Sequence, residues 1–151
     1  MTIRVAVLNG PNLNLLGQRE PGLYGHLTLA EIEAMVREEA VRLGCSVSWS
    51  QSNHEGALVD AIQQLPGFAD GLILNAGAYT HTSLALRDAL LAIPVPFVEV
   101  HLSNLFAREE RRQRSLFADL AIGVITGFGA QGYPLALRAL HQHLHAVRPT
   151  A

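Results

Sequence analysis

The stretch IRVAVLNGPNLNLLGQREPGLYG, residues 3–25, decides the fold. Its first six residues, Ile3 to Leu8, are an apolar, largely β-branched run, short enough for one buried strand. A long polar segment then leads to Gly25. Loops of that length inside a compact chain are uncommon and tend to serve as lids or binding loops. This one carries the amides of Asn9, Asn12 and Asn14, then Arg19 and Tyr24 near a glycine-flanked tip. Those side chains suit a loop that closes over something small and anionic.

Outward from this stretch, strand and helix signals alternate. Runs at Cys45–Ser50, Gly71–Leu74, Pro96–Val100 and Ala121–Ile125 predict four more strands. Thr28-Leu-Ala-Glu31 is a capping box that opens a helix, with Leu29, Ile32, Val36 and Leu43 on one face and Gly44 as its stop. Ser52 or Asn53 is expected to cap a second helix through Leu58, Ile62 and Leu65. Thr80 or Thr82 is expected to cap a third over Leu84 to Leu91. A short charged helix is expected over Leu105–Arg114, and Pro134 suits the first turn of a last helix. Five such units predict a single α/β domain over residues 1–151, a doubly wound parallel five-stranded sheet covered on both faces. With right-handed crossovers, the expected strand order is the flavodoxin-like 2-1-3-4-5.

Composition narrows the function classes. An apolar fraction of 49% and a charged fraction of 16% over 151 residues suit one well-buried core. The formal charge of −2 gives no electrostatic footprint for nucleic acid or an anionic membrane. No apolar run is long enough to cross a bilayer. The start, MTIRVAV, lacks the parts of a secretion signal, and one cysteine, Cys45, allows no internal disulfide, so the expected compartment is the cytoplasm. All 11 basic residues are arginines, which removes Schiff-base chemistry through a lysine amine.

Ligands of open α/β sheets bind beyond the carboxyl ends of the strands. Nearly all the unusual polar residues fall there, in 9–24, 51–55, 75–82, 101–104 and 126–131. Glu99 and His101 end the fourth strand two residues apart, so they point to one face. A carboxylate beside an imidazole holds one tautomer and prepares a general acid; a plain ion pair is the other reading. The backbone N–H groups of Leu102 and Ser103 could face an anion, or Ser103 could simply cap a helix. Asn75 and His81 offer contacts beside Ala76, Gly77 and Ala78, whose small size lets a ligand approach the backbone. Asp88 lies two turns into the next helix, too far along to share a pocket with Asn75 in one subunit. It suits a surface charge or a contact across a subunit boundary. Arg108 and Arg112 are four apart and reach one side of a helix, where one could bind a carboxylate. His141 and His145 share that spacing, yet no Cys or carboxylate nearby completes a metal site. Ser103 beside His101 raises a serine-type hydrolase as a rival, although the glycines of a nucleophile elbow are missing. A non-enzymatic flavodoxin-like binding module is the other rival.

Four segments carry a resemblance: LNGPNLNLLGQREPGLYG at 8–25, QSNHEG at 51–56, NAGAYTHTSLALRDAL at 75–90 and PFVEVHLSN at 96–104, extended by AREERR. In this order and spacing they resemble the type II 3-dehydroquinate dehydratases. The resemblance implies a lyase of the shikimate pathway to aromatic amino acids. It removes water from 3-dehydroquinate by anti elimination through an enolate, without metal or cofactor. It also implies trimers packed into a dodecamer. By position, Tyr24 resembles the proton acceptor, Arg19 the residue that stabilises the reactive state, and His101 the proton donor, with Glu99 as its orienter. Asn12 fits the residue holding a water beside the enolate oxygen. Asn75, His81, Leu102, Ser103 and Arg112 match substrate contacts, and Asp88 matches a residue reaching a neighbouring subunit's site. The tail HQHLHAVRPTA matches no family role.

The scale of those roles is reasonable. A phenol ionises near pH 10 in water. A cation ~4 Å away at an effective dielectric constant near 20 is worth about 4 kcal/mol, which matches the roughly three pH units needed to use a phenolate near neutrality. Arg19 is five residues from Tyr24 on the same loop, so either the loop folds back or Arg108 assists.

Overall fold

Five strands form one parallel sheet in the order β2-β1-β3-β4-β5, as expected from the sequence. They are β1 (Arg4–Asn9), β2 (Ser46–Gln51), β3 (Gly71–Asn75), β4 (Phe97–His101) and β5 (Gly123–Thr126). The helices are α1 (Pro21–Tyr24), α2 (Leu29–Leu43), α3 (Glu55–Gln63), α4 (Leu84–Leu91) and α5 (Gly132–Val147). The computed structural model describes residues 1–148; the end of the His-rich tail, 149–151, lies outside the described residues.

The central strands β3 and β4 are buried along their whole length, while the edges β2 and β5 are partly open. That is why 71–75 and 97–101 read as near-continuous apolar runs. Alternate side chains feed two cores. Val5, Val7, Ile73, Val98 and Val100 pack with α2 and α5 on one face. Ala6, Leu8, Leu72, Leu74 and Phe97 pack with α3 and α4 on the other. Fully burying one such aliphatic side chain stabilises the fold by about 1.5–3 kcal/mol.

The capping box forms: Glu31 N donates to Thr28 Oγ1, and Thr28 N donates to Glu31 Oε2. Gly44 ends α2 in the left-handed conformation. On the same helix Glu39 is 5% exposed, and it is held by Arg138 of α5 at 2.6 Å and by Arg42 at 3.1 Å. The Arg138 hydrogen bond outweighs desolvation and keeps the Glu39 carboxyl below the usual carboxylate range.

Three local expectations are corrected. The segment over Leu105–Arg114 is not an α-helix but two 3₁₀ turns, Leu105–Ala107 and Glu110–Arg112. The chain extends at Arg108 between them, because that side chain turns inward to Ser103 and Tyr24. Helix α3 begins after His54 with no side-chain cap, since Ser52 Oγ accepts from His54 N and Asn53 Oδ1 accepts from Asn12 N. Helix α4 is capped by Ser83, not by Thr80 or Thr82. Gly77–His81 forms a separate 3₁₀ turn and moves the cap three residues past Thr80.

Candidate active site

The carboxyl ends of β1, β3 and β4 meet at one pocket, where the strand-end rule places it. Pro11, Leu13, Arg19 and Tyr24 line it from the first loop, Asn75, Gly77 and His81 from the loop after β3. His101, Leu102, Ser103, Leu105, Arg108 and Arg112 complete it from β4 onward. Gly10 lets two of these walls touch. A Cβ there would stand 2.3 Å from the Ala76 carbonyl oxygen, and Gly10 N donates to Asn75 O at 2.7 Å.

The first loop turns back on itself. Glu20 has a left-handed backbone, with φ 39°, and opens the single helical turn α1, which Gly25 ends with φ 87°. This reversal places the Arg19 guanidinium carbon 5.0 Å from the centre of the Tyr24 ring. The Arg108 guanidinium carbon lies 5.7 Å from the same centre, and its Nη2 donates to Tyr24 Oη at 3.4 Å. The loop thus folds back, and Arg108 reaches the same ring from the other side of the pocket. Two guanidiniums beside one ring repel each other unless a negative charge lies between them. An anionic ligand in the pocket would supply it.

On β4, Glu99 and His101 face the same side as Phe97, as the two-residue period requires. Glu99 is fully buried and His101 is 5% exposed. His101 Nε2 stands 3.0 Å from Glu99 Oε2, off the direction of a well-formed hydrogen bond. The other carboxylate oxygen, Oε1, accepts from Ser115 Oγ at 2.6 Å. His101 thus turns Nε2 to the carboxylate, which leaves Nδ1 for the pocket.

His81 Nδ1 lies 2.7 Å from the Arg114 carbonyl oxygen. A carbonyl only accepts, so Nδ1 carries the proton and Nε2 is the nitrogen left over. Burial, reinforced by His101 and Arg112, pushes the His81 ring below the ordinary imidazole value despite the opposing Arg114 carbonyl. Asn75 is aligned from within the core. Its Nδ2 donates to Tyr133 Oη at 2.9 Å, and its Oδ1 accepts from Gly77 N at 3.2 Å. Tyr133 Oη donates in turn to Asn9 Oδ1 at 2.6 Å, and Asn9 Nδ2 donates to Ser50 O at 3.0 Å. Asn9 and Asn75 are register partners on β1 and β3, so one phenol bridges both. Burial drives the Tyr133 phenol upward, which keeps it a neutral donor and acceptor.

Thr126 at the end of β5 braces the turn after β4. Its Oγ1 donates to Ser103 O at 2.8 Å and accepts from Leu105 N at 3.1 Å. The amides of Leu102 and Ser103 donate to no backbone acceptor among the described residues. They remain available to an anion at the pocket wall. Ser103 Oγ accepts from Arg108 Nη1 at 3.0 Å, not from a bond with His101. The hydrolase reading therefore lacks its nucleophile–base contact.

Arg19, Tyr24, Asn75, His81, His101, Leu102, Ser103, Arg108 and Arg112, all candidates from the sequence, line this pocket together. Glu99 stands directly behind His101. Asn12 sits between the lining residues Pro11 and Leu13, with a left-handed backbone (φ 68°) and its N–H held by Asn53 Oδ1. Asp88 does not join them; it lies exposed on α4. His141 and His145 meet edge to face, 6.1 Å apart, away from the pocket. No group of three or more His, Cys, Asp or Glu that could hold a metal ion occurs among the described residues. No described helix is long and apolar enough to cross a membrane.

The family model described as "Dehydroquinase class II" matches residues 3–141. The chain belongs to the class II dehydroquinase family. It is 57% identical over 145 residues to the 3-dehydroquinate dehydratase of Synechococcus sp. (strain WH7803), covering 96% of this chain and 99% of that protein. It is 58% identical over 142 residues to the 3-dehydroquinate dehydratase of Parasynechococcus marenigrum (strain WH8102), covering 94% and 97%. Among solved structures, the type II dehydroquinase from Butyrivibrio crossotus DSM 2876 superposes with a TM-score of 0.90 at 41% identity, over 92% of this chain and 97% of that one. The class II dehydroquinase match spans every residue that lines the pocket, from Pro11 to Arg112.

Proposed function

We propose that this class II dehydroquinase is a lyase that removes water from 3-dehydroquinate to give 3-dehydroshikimate, on the shikimate pathway. The observation that carries the reading is the pairing of an arginine-flanked Tyr24 with a carboxylate-backed His101 around one pocket.

The Tyr24 phenolate takes a proton from the carbon beside the substrate ketone, and the C–H pair becomes an enolate. Arg19 and Arg108 put positive charge beside the Tyr24 ring. Asn12 holds a water against the enolate oxygen, where fixed dipoles lower the barrier. The enolate then re-forms the ketone and expels the hydroxyl from the next carbon. His101 gives that hydroxyl its proton, so it leaves as water, and Glu99 compensates the imidazolium before transfer. General acid and base each supply about 10²–10⁴-fold. The substrate carboxylate binds the Leu102 and Ser103 amides. Asn75, His81 and Arg112 hold the rest of the polar ring. Closure of the loop bearing Arg19 and Tyr24 excludes water as it completes the site.

Asp88 lies on the exposed face of α4, which suits a contact with the site of a neighbouring subunit in a trimer-based dodecamer. The absence of lysine fits a mechanism that needs no Schiff base. The proposed compartment is the cytoplasm. The test is to add 3-dehydroquinate to purified protein and follow the ultraviolet band of the conjugated product. Growth of that band at catalytic protein concentration supports the activity; a flat trace rejects it.

A further inference from the structure

We infer that Ser115 is a positioning residue for the elimination: its hydroxyl locks the Glu99 carboxylate in the plane that presents Oε2 to His101. The inference rests on the dehydratase reading above and extends it to a residue outside the pocket.

The direction of the hydrogen bond is fixed by counting lone pairs. Ser115 Oγ accepts from Phe117 N at 3.2 Å and from Ala118 N at 3.0 Å. A hydroxyl has two acceptor positions and one proton. Both acceptor positions are taken, so the proton goes to Glu99 Oε1, 2.6 Å away. That length matches an O–H donor on a carboxylate, typically about 2.5–2.7 Å. Glu99 is therefore the acceptor and cannot rotate its carboxyl without breaking the contact.

The consequence reaches His101. Glu99 is fully buried, and its Oε2 has no hydrogen-bond partner among the described residues apart from the close approach of His101 Nε2 at 3.0 Å. With Oε1 pinned by Ser115, Oε2 is the oxygen that faces His101 Nε2. Nδ1 then points to the pocket as the position that exchanges a proton with the leaving hydroxyl. The chain of control runs from the 117–118 backbone through Ser115 and Glu99 to His101. None of it requires Ser115 to touch substrate, and Ser115 does not line the pocket.

A double-mutant cycle tests this. Ser115→Ala in the wild-type background should lower kcat about tenfold or more, a fraction of the general-acid contribution, with KM changed less than about threefold. In a Glu99→Gln background the same substitution should cost less than about threefold in kcat, because its route to His101 is already cut. A structural role alone would give equal losses in both backgrounds, or a loss in KM, and either result overturns the inference. Ser115→Ala also removes the cap on Phe117 and Ala118. If it does not fold, Ser115→Cys keeps the side-chain shape with a weak donor. A clear kcat loss with an unchanged melting temperature then supports the role, and wild-type kcat overturns it. Wild-type protein is assayed first: no turnover there rejects the dehydratase reading itself, whereas turnover with an additive cycle rejects only the role of Ser115.

Discussion

Arg108 reaches across the pocket to Tyr24, its Nη2 3.4 Å from the phenol oxygen, while its Nη1 is held 3.0 Å from Ser103 Oγ. The charge is thus anchored at its far end. A pair ~5 Å apart at an effective dielectric constant near 20 interacts by about 3 kcal/mol. Arg108→Ala should lower kcat about 10²-fold, at 1.36 kcal/mol per tenfold. Arg108→Lys should recover only part, because an ammonium cannot hold Ser103 and Tyr24 as a fork does. Steady-state kinetics of both variants check this, and equal full activity would remove Arg108 from the account.

Tyr133 bridges Asn9 and Asn75 inside the core. Tyr133→Phe leaves Asn9 Oδ1 without its 2.6 Å donor and Asn75 Nδ2 without its 2.9 Å acceptor. The expected cost is about 1–3 kcal/mol, or several degrees in Tm. The Asn75 amide also loses its alignment, so KM should rise more than kcat falls. Thermal unfolding and kinetics on the same preparation separate the two effects.

Gly10 sits where the exit of β1 crosses the loop after β3. Gly10→Ala puts a methyl against the Ala76 backbone, which has no flexible end to yield. Overpacking costs about 1–3 kcal/mol in ordinary cores; this substitution should reach at least the top of that range. Urea unfolding measures it, and an unchanged midpoint would mean that the two loops separate freely.

His81 gives a pH dependence. Burial lowers its proton affinity in the folded state below the unfolded value of about 6.5. As pH falls through that value, the unfolded chain takes up the proton first. The stability associated with His81 is therefore full above about pH 6.5 and is lost as pH drops toward the lower folded value. Tm should fall more steeply in wild type than in His81→Gln between about pH 6.5 and 5. Parallel curves would contradict it.

The five strands and their order were legible because buried parallel strands leave apolar runs and helical periodicity fills the stretches between them. Most of the pocket was legible because its residues cluster just past strand ends. The residues that went unseen act across the sheet. Ser115 carries an ordinary hydroxyl on the loop after Arg112, and only the fold brings it to Glu99; Thr126 lay in a polar stretch past β5, but its bond to Ser103 had no local signal. Tyr133 stands 58 residues from Asn75 and 124 from Asn9, and no local pattern announces their contact. The helix expected over Leu105–Arg114 failed for a related reason. The i, i+4 arginines suggested one side of a helix, yet the Arg108 side chain is only 13% exposed and turns inward between two 3₁₀ turns.

The central claim is that Tyr24 is the base. Its most direct test is the rate of 3-dehydroquinate dehydration by Tyr24→Phe, a change of one oxygen, alongside wild type at equal folded concentration. A loss of at least about 10²-fold in kcat, with circular dichroism unchanged, is the expected result. Turnover within a few-fold of wild type would show that another group removes the proton.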